Sequence, residues 1–418
     1  MKIWVIQAQE NLPNKKTELS SKEWRSNRLS SILASAGHEV TRWRSSFDHI
    51  HKRQIKEKEI QEIEQDFKMQ ILKARSYKNN IGLGRFLSHQ DLAKEFLKHS
   101  SSYTEKPDLI HISSVPIELC EKVIEYGLVN NVKVIVDIRD LWPDIILEMV
   151  PKFLFFARPL VKLGLGSYFS KTRYIFRNAT ALSALTSSML KWGLNRGSRE
   201  ITDHDFVFPM SPNSNYVNID AKKVDSFYSR YSIKNNEIII CFAGTLGHQF
   251  DFNTVISAAK KLERENQNLR FIIAGKGPML KRLRNLSRRI ESIDFIGWID
   301  GDDLEILYKI SNFGLMPYKN FLNFRLNLPN KFSEYLKADL PIITNLTGEI
   351  DRFVEYKCAE RYIDGDPKDL ARIIKNLIND KEAYNRMKIS IRKIYSAEFN
   401  SNSIYAKALE NIEKFDGF

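Results

Sequence analysis

The sequence predicts an α/β protein of two doubly wound, Rossmann-like domains facing a cleft. Three observations carry that expectation. The chain has 418 residues, more than one compact core holds. Short apolar runs alternate with helical patterns almost throughout, which is how parallel α/β layers read in sequence. The whole plan then begins again at Glu237-Ile-Ile-Ile-Cys-Phe-Ala243. The expected division is 1–215 for the first domain and 216–395 for the second. A C-terminal helix over 396–418 is expected to pack back on the first domain.

In chain order, Lys2–Gln7 is the first expected strand. Trp24–Ala36 has helical spacing and stops at Gly37, which is free to take the left-handed cap. His38–Trp43 opens the second strand, and 51–75 reads as a charged, solvated helical stretch. Asp108–Ile112 and Val132–Val136 have the continuous apolar character of buried strands. Val207–Asn215 is rich in turn formers and closes the first domain, with 213–236 as linker. In the second domain, strands are expected at Arg270–Ala274, Ile293–Ile296, Phe313–Met316 and Pro341–Thr344.

Bulk properties narrow the function classes. An apolar fraction of 43% is ordinary for a globular protein, and no run is long and apolar enough to span a membrane. Cys120, Cys241 and Cys358 lie far apart without a C-x-x-C pair, which argues against a disulfide framework or cysteine metal site and suits a reducing cytoplasm. Lysine and arginine exceed acids by 64 to 51, so nucleic acid, anionic membranes and phosphorylated substrates are the partners to weigh.

Ligands in doubly wound sheets bind at the carboxyl ends of strands, so chemistry is sought in those loops. Gly244, Thr245 and Gly247 follow the first strand of the second domain, where glycines let backbone amides approach an anion. Gly275 and Gly277 repeat the event before Pro278, although Leu280 stands where a dinucleotide fingerprint needs its third glycine. In Leu328-Pro-Asn-Lys-Phe-Ser-Glu-Tyr335, Asn330 is the expected N-cap, and Phe332, Tyr335 and Leu336 share a buried face. Lys331 and Glu334 lie off that face, suited either to solvent or to a diphosphate and ribose at the positive helix end. In the first domain, Val136-Asp-Ile-Arg-Asp-Leu-Trp-Pro-Asp144 concentrates acids with Arg139 and Trp142, either as a local ion pair or as a polar substrate site. His111 ends a strand in the same way.

Between 151 and 199 stand nine basic residues and no acid, interleaved with Phe155, Phe156, Leu160 and other apolar side chains. Such a stretch suits an anionic bilayer surface or a helix packed on its own core. No helix-turn-helix, RRM, KH or finger pattern supports nucleic acid.

Taken together, these residues resemble the GT-B glycosyltransferases of family four, in the bacterial surface-polysaccharide (O-antigen and capsule, lipopolysaccharide-type) branch. The most specific parts are Asp137-Ile-Arg-Asp-Leu-Trp-Pro-Asp144 and Leu328–Tyr335. Gly37-His-Glu-Val40, Phe242–Gly247, Ala274–Pro278 and Asn80–Ser88 are weaker signposts. The resemblance implies a retaining hexosyl or N-acetylhexosaminyl transferase that needs no metal or other cofactor. Its substrates would be a nucleotide-diphosphate sugar, UDP by the family's habit, and a lipid-linked polyprenyl-diphosphate saccharide. The protein would work in the cytoplasm, peripheral at the inner face of the plasma membrane.

Carried onto this chain, the resemblance places Asp140, Lys331 and Arg325 in catalysis. Gly244, Thr245, Gly247, Gly275, Gly277, Asn330 and Glu334 would hold the donor, and Arg85, His111, Arg139 and Trp142 the acceptor. Two positions depart from the family pattern. The first of two glutamates eight positions apart falls on Leu326, and the usual Arg and Lys after the first glycine loop are replaced by His248-Gln-Phe-Asp251. A GT-B sugar-nucleotide epimerase and a non-enzymatic membrane or nucleic-acid binding protein are the alternatives.

Overall fold

The computed structural model describes residues 1–10, 24–56, 66–80, 82–150, 152–212, 219–234, 236–265, 267–299 and 301–417. Two compact units divide it: the first takes the chain up to Pro209 together with Asn402–Phe418, and the second takes Met210–Ser401. The expected boundary at 215/216 falls outside the described residues.

In the first unit the strands are β1 (Lys2–Ile6), β2 (Glu39–Ser45), β3 (Phe47–Asp48), β4 (Arg53–Gln54), β5 (Lys68–Leu72), β6 (Leu109–Ser113), β7 (Lys133–Ile138), β8 (Ala181–Ala184) and β9 (Phe206–Val207). Seven of them form one parallel sheet in the order β5-β2-β1-β6-β7-β8-β9, while β3 and β4 make a short antiparallel pair. Alternation along β1 serves both faces. Ile3 and Val5 join Leu29 and Leu33 of helix Arg25–Ser35 and Ile404, Tyr405 and Ile412 of helix Ser401–Glu413 in one core. Trp4 faces the other way and packs on Trp43 (4.7 Å), Phe96 and Tyr126.

The charged stretch 51–75 is not helical where it is described. Its ends are β4 and β5, with 57–65 outside the described residues. Lys68-Met-Gln-Ile-Leu72 pairs along β2 as an edge strand, and Lys68 meets Glu39 there at 2.8 Å. Tertiary pairing overrides the helical composition of this edge.

The second unit has β10 (Ile238–Ala243), β11 (Leu269–Ala274), β12 (Ile293–Gly297), β13 (Phe313–Met316), β14 (Ile342–Thr344) and β15 (Ala359–Arg361), all parallel in the order β12-β11-β10-β13-β14-β15. The expected linker 213–236 instead contains a helix, Ala221–Arg230, whose Phe227 is fully buried in this unit's core. Each sheet reverses direction of growth once, between β1 and β6 in the first and between β10 and β13 in the second. Those switch points are where crevices open beyond the strand ends.

A buried charge pair ties the carboxyl edge of the first sheet together. Arg25 reaches both oxygens of Asp137 at 3.2 and 3.3 Å, donates to the carbonyls of Phe208 and Pro209 at 2.6 Å, and lies 3.4 Å over the Phe208 ring. Ser183 Oγ donates to the same carboxylate at 2.8 Å. Removing one member strands the other charge in the interior. Asp137→Ala is therefore expected to cost about 3–5 kcal/mol in urea unfolding, whereas Glu39→Ala, which breaks an exposed pair, should leave the unfolding midpoint near wild type.

Candidate functional site

The second unit's loops converge beyond β10 and β13. Gly244 N donates to Ala274 O at 2.9 Å, and Leu246 N to Lys276 O at 2.8 Å, so the two glycine loops are zipped by their backbones. A Cβ on Gly275 would overlap Gly244 O, and its φ of +150° is itself a glycine conformation. The approach at Gly244 (φ +154°) is equally close on its other side. There Lys331 Nζ lies 2.5 Å from where a Cβ would stand and 4.7 Å over the Phe242 ring. Lys331 is only 9% exposed, so it is not the solvated lysine that helix position alone allows. Its chain comes from the helix Asn330–Lys337, which Phe332 and Tyr335, both fully buried, anchor. Tyr335 packs flat on Gly314 of β13 and donates to Leu315 O at 3.2 Å.

Glu334 is half-buried on that helix and accepts from Tyr308 Oη at 2.9 Å. Burial first, and then the Glu334 charge, push the Tyr308 hydroxyl well above its ordinary pKa, so it remains a donor. Asn330 does not cap the helix. Pro329 occupies the N-cap position with extended backbone, leaving Asn330 as an exposed first helical residue. The fixed backbone of proline makes the turn that a capping side chain was expected to make. Thr245 is exposed, Gly247 is buried against Gln249, and Gly277 lies beside Leu246 O.

The two departures from the family pattern have structural roles. Asp251 caps the helix Phe252–Arg264 by accepting from Thr254 N (3.3 Å) and Thr254 Oγ1 (2.6 Å). Gln249 O and Asp251 N bond to Lys319 N and Pro317 O, tying this loop to the end of β13. Leu326 ends the short helix Leu322–Arg325 half-buried. The Arg325 side chain is exposed, and its carbonyl accepts from Glu349 N at 2.7 Å.

In the first unit the strand-end residues form a second polar centre. Arg139 donates to Glu10 at 2.6 Å, and Arg42 stands 3.7 Å from the same carboxylate. Burial would raise the Glu10 carboxyl, but Arg139 and Arg42 outweigh it and hold the group below its usual range. Arg139 is thus paired with Glu10, while its sequence neighbour Asp140 is exposed. Asp144 pairs with Arg196 at 2.7 Å. His111 is buried with Nε2 lacking a hydrogen-bond partner among the described residues, and burial pushes its imidazole down to about 4 against the pull of Asp137. Glu10 carried no sequence signal, because the segment after it, 11–23, contains no glycine; that segment lies outside the described residues.

Arg85 and Trp142 do come together: the guanidinium sits 5.2 Å from the Trp142 ring centroid. Around them is a pocket of about 160 Å³, closed by Phe86, Ile117, Ile146 and Tyr168. Arg85 Nε donates to His89 at 3.3 Å, and His89 Nδ1 stands 3.3 Å from Glu118, whose other oxygen accepts from Tyr168 at 2.7 Å. His89 lies four residues after Arg85 on helix Leu83–Ser100, a same-face spacing that the sequence displayed.

The basic stretch presents Phe155, Phe156, Leu160 and Leu163 to solvent, Phe156 at 75% and Leu163 at 78% exposure. It is not unopposed throughout: Lys171 pairs with Glu121, Arg196 with Asp144 and Arg199 with Asp205. Among the described residues no helix is long and apolar enough to cross a membrane.

Two parallel six- or seven-stranded Rossmann-like units on one chain are the GT-B fold, which comparison with solved structures bears out. A sucrose-phosphate synthase from Thermosynechococcus elongatus superposes at a TM-score of 0.72 and 14% identity, covering 100% of this chain and 99% of its own. Anabaena HepE in complex with UDP gives 0.64 at 13% identity, covering 99% of this chain and 100% of its own. Residues 225–394, within the second unit, match the model of the family described as glycosyl transferases group 1. A glycosyltransferase of Methanocaldococcus jannaschii, described as uncharacterized, is 25% identical over 146 residues, 34% of this chain and 35% of its own length. That match therefore spans about a third of the relative.

The buried imidazoles set a pH dependence. His111 titrates at about 4 and His49 at about 3 in the folded chain, both lowered chiefly by burial. The unfolded chain binds these protons below roughly pH 6.5, so stability is full above that value and falls as pH drops toward 4. His111→Gln is expected to flatten urea-derived stability between pH 6.5 and 4 by about one proton, roughly 1.4 kcal/mol per pH unit.

Proposed function

We propose that the protein is a retaining, metal-independent glycosyltransferase using a UDP-sugar donor and a lipid-linked saccharide acceptor in surface polysaccharide (O-antigen or capsule) synthesis. One observation carries the reading. A buried lysine is pressed onto the backbone of a glycine loop at a topological switch point, beside a helix N-terminus, inside the segment that matches group 1 glycosyltransferases. Backbone amides, a helix end and a fixed ammonium together suit a diphosphate. HepE, of the same fold, was solved with UDP, which favours that nucleotide.

In this reading Glu334 accepts the ribose hydroxyls, with Tyr308 holding its second oxygen in place. The bond from the anomeric carbon to the β-phosphate oxygen loosens first, and its electron pair stays with UDP. Lys331, the glycine amides and Arg325 stabilise that developing charge. The acceptor oxygen bonds to the same face of the sugar, and its proton passes to the departing phosphate oxygen. Asp140, exposed in the first unit, would orient the acceptor. The apolar and basic face of 154–163 suits an anionic membrane surface, where lipid-linked acceptors reside.

Thermal unfolding with UDP, GDP, TDP and ADP is the first test, because a ligand bound to the native state raises the midpoint. UDP is expected to give the largest shift. Lys331→Ala should lower kcat by about 100-fold or more, the scale of one lost transition-state donor, while Tyr308→Phe raises KM for the donor and leaves kcat near wild type. Full turnover in the Lys331 variant would remove the lysine from the mechanism. Conversion of the UDP-sugar without any acceptor would point to an epimerase.

A further inference from the structure

Charge is distributed unevenly over the second unit. Along its helices cations meet acids: Lys223 pairs with Asp302, Arg230 with Asp303 and Lys375 with Glu265. Across β11 and β12, Arg270 pairs with Asp294. The segment between Glu265 and Glu291 departs from this pattern. It contains no acid, and Lys276, Lys281, Arg282, Arg284, Arg288 and Arg289 are all exposed. Among the described residues none of these six meets a carboxylate. Arg284 gives one Nη to Phe295 O at 3.0 Å, which leaves its charge unopposed.

Local structure keeps these cations in water and in place. Leu283 and Ser287 turn inward from the helix Leu280–Ser287, and Leu283 joins the core of the unit. Lys281 and Arg284, three positions apart, share a flank and line an open cleft of about 380 Å³ with Gly277, Pro278 and Asn285. The start of the helix is fixed to the glycine loops. Met279 N donates to Leu246 O at 3.1 Å, and the carbonyl of Lys276, which stands between Gly275 and Gly277, accepts from Leu246 N. The positive run thus begins inside the glycine-loop grip and continues outward along one helix.

A bilayer, a nucleic acid and a small polyanion each suit unopposed positive charge. A bilayer contact wants apolar side chains among the cations, and over 276–290 the one large apolar side chain that is exposed is Leu286, at 49%. Nucleic-acid surfaces interleave aromatic rings with cations, and 276–290 has no aromatic residue. A small polyanion bound at the glycine loops needs neither. Charge of one sign lining the approach to a site raises the local concentration of an oppositely charged ligand and its rate of capture.

We propose that this run steers the nucleotide-diphosphate donor into the second unit, with Arg282, Arg288 and Arg289, which lie off the cleft, raising the rate of encounter without touching the bound donor. The inference rests on the donor reading above and adds the route by which the donor arrives. Stopped-flow mixing of the full chain with UDP, followed by tryptophan fluorescence, gives kon and koff across ionic strength. In about 0.01 M salt, where charges act over about 30 Å, the combined substitutions Arg282→Gln, Arg288→Gln and Arg289→Gln are expected to lower kon about fivefold. The deficit should close to within about twofold in about 1 M salt, with koff near wild type throughout. A charge-matched control, Lys368→Gln, Lys381→Gln and Lys393→Gln on the helices Pro367–Asn379 and Lys381–Ile394, should keep kon near wild type. An equal loss in the control would make net charge the cause and overturn the proposal. An unchanged kon, or a raised koff in place of a lowered kon, would overturn it too. Unchanged kon joined to weaker retention on vesicles of anionic lipid would overturn it in favour of a bilayer contact. The UDP-induced thermal shift on the same samples separates the two readings. A normal shift with an unsteered kon sinks only this inference, whereas no shift in the wild-type chain sinks the donor reading and this inference together.

Discussion

The contact between Lys331 and Gly244 is the constraint on which the second unit's site depends. A lysine can be buried at a strand end only if its neighbour contributes no side chain and the charge faces favourable groups. Gly244 supplies the first condition, and the Phe242 ring beneath the ammonium supplies part of the second. The same close approach forces Gly275 to be a glycine from the opposite side, since its neighbour is Gly244 O. Three separate segments (the ends of β10 and β11 and the helix after β13) are thus locked into one geometry before any ligand arrives. Such preorganisation is what makes a positive site useful for a departing diphosphate.

The first unit works by a different principle. Its strand ends carry buried ions that neutralise one another: Arg25 with Asp137, and Glu10 with Arg139 and Arg42. These pairs hold the carboxyl edge of the sheet in shape. Of the residues expected to meet an acceptor, Arg85 and Trp142 line a cavity, from the helix after β5 and the loop after β7.

Much of this was legible from sequence where chemistry is local. The apolar runs marked the central strands within a residue or two, and Gly37, at φ +91°, ends the turn it was expected to end. The buried face of Phe332, Tyr335 and Leu336 followed from helical spacing alone. The edges were harder. β15 is only three residues long with two of them charged, and β5 ends a charged stretch, so only pairing with a neighbour makes them strands. Burial of Lys331 was invisible for a related reason, since a gap opened by a glycine nearly ninety positions away leaves no local trace. Glu10, Glu118 and Tyr168 likewise acquire their roles from partners distant in the chain.

The central claim is that the zipped glycine loops and the Lys331 helix together grip a nucleotide diphosphate. Backbone hydrogen exchange with and without UDP measures this most directly, because a bound diphosphate should slow opening of the amides it contacts. The account predicts added protection in 242–247, 274–280 and 329–335 together, lost in Lys331→Ala. Protection confined to other segments, or unchanged by that substitution, would contradict it.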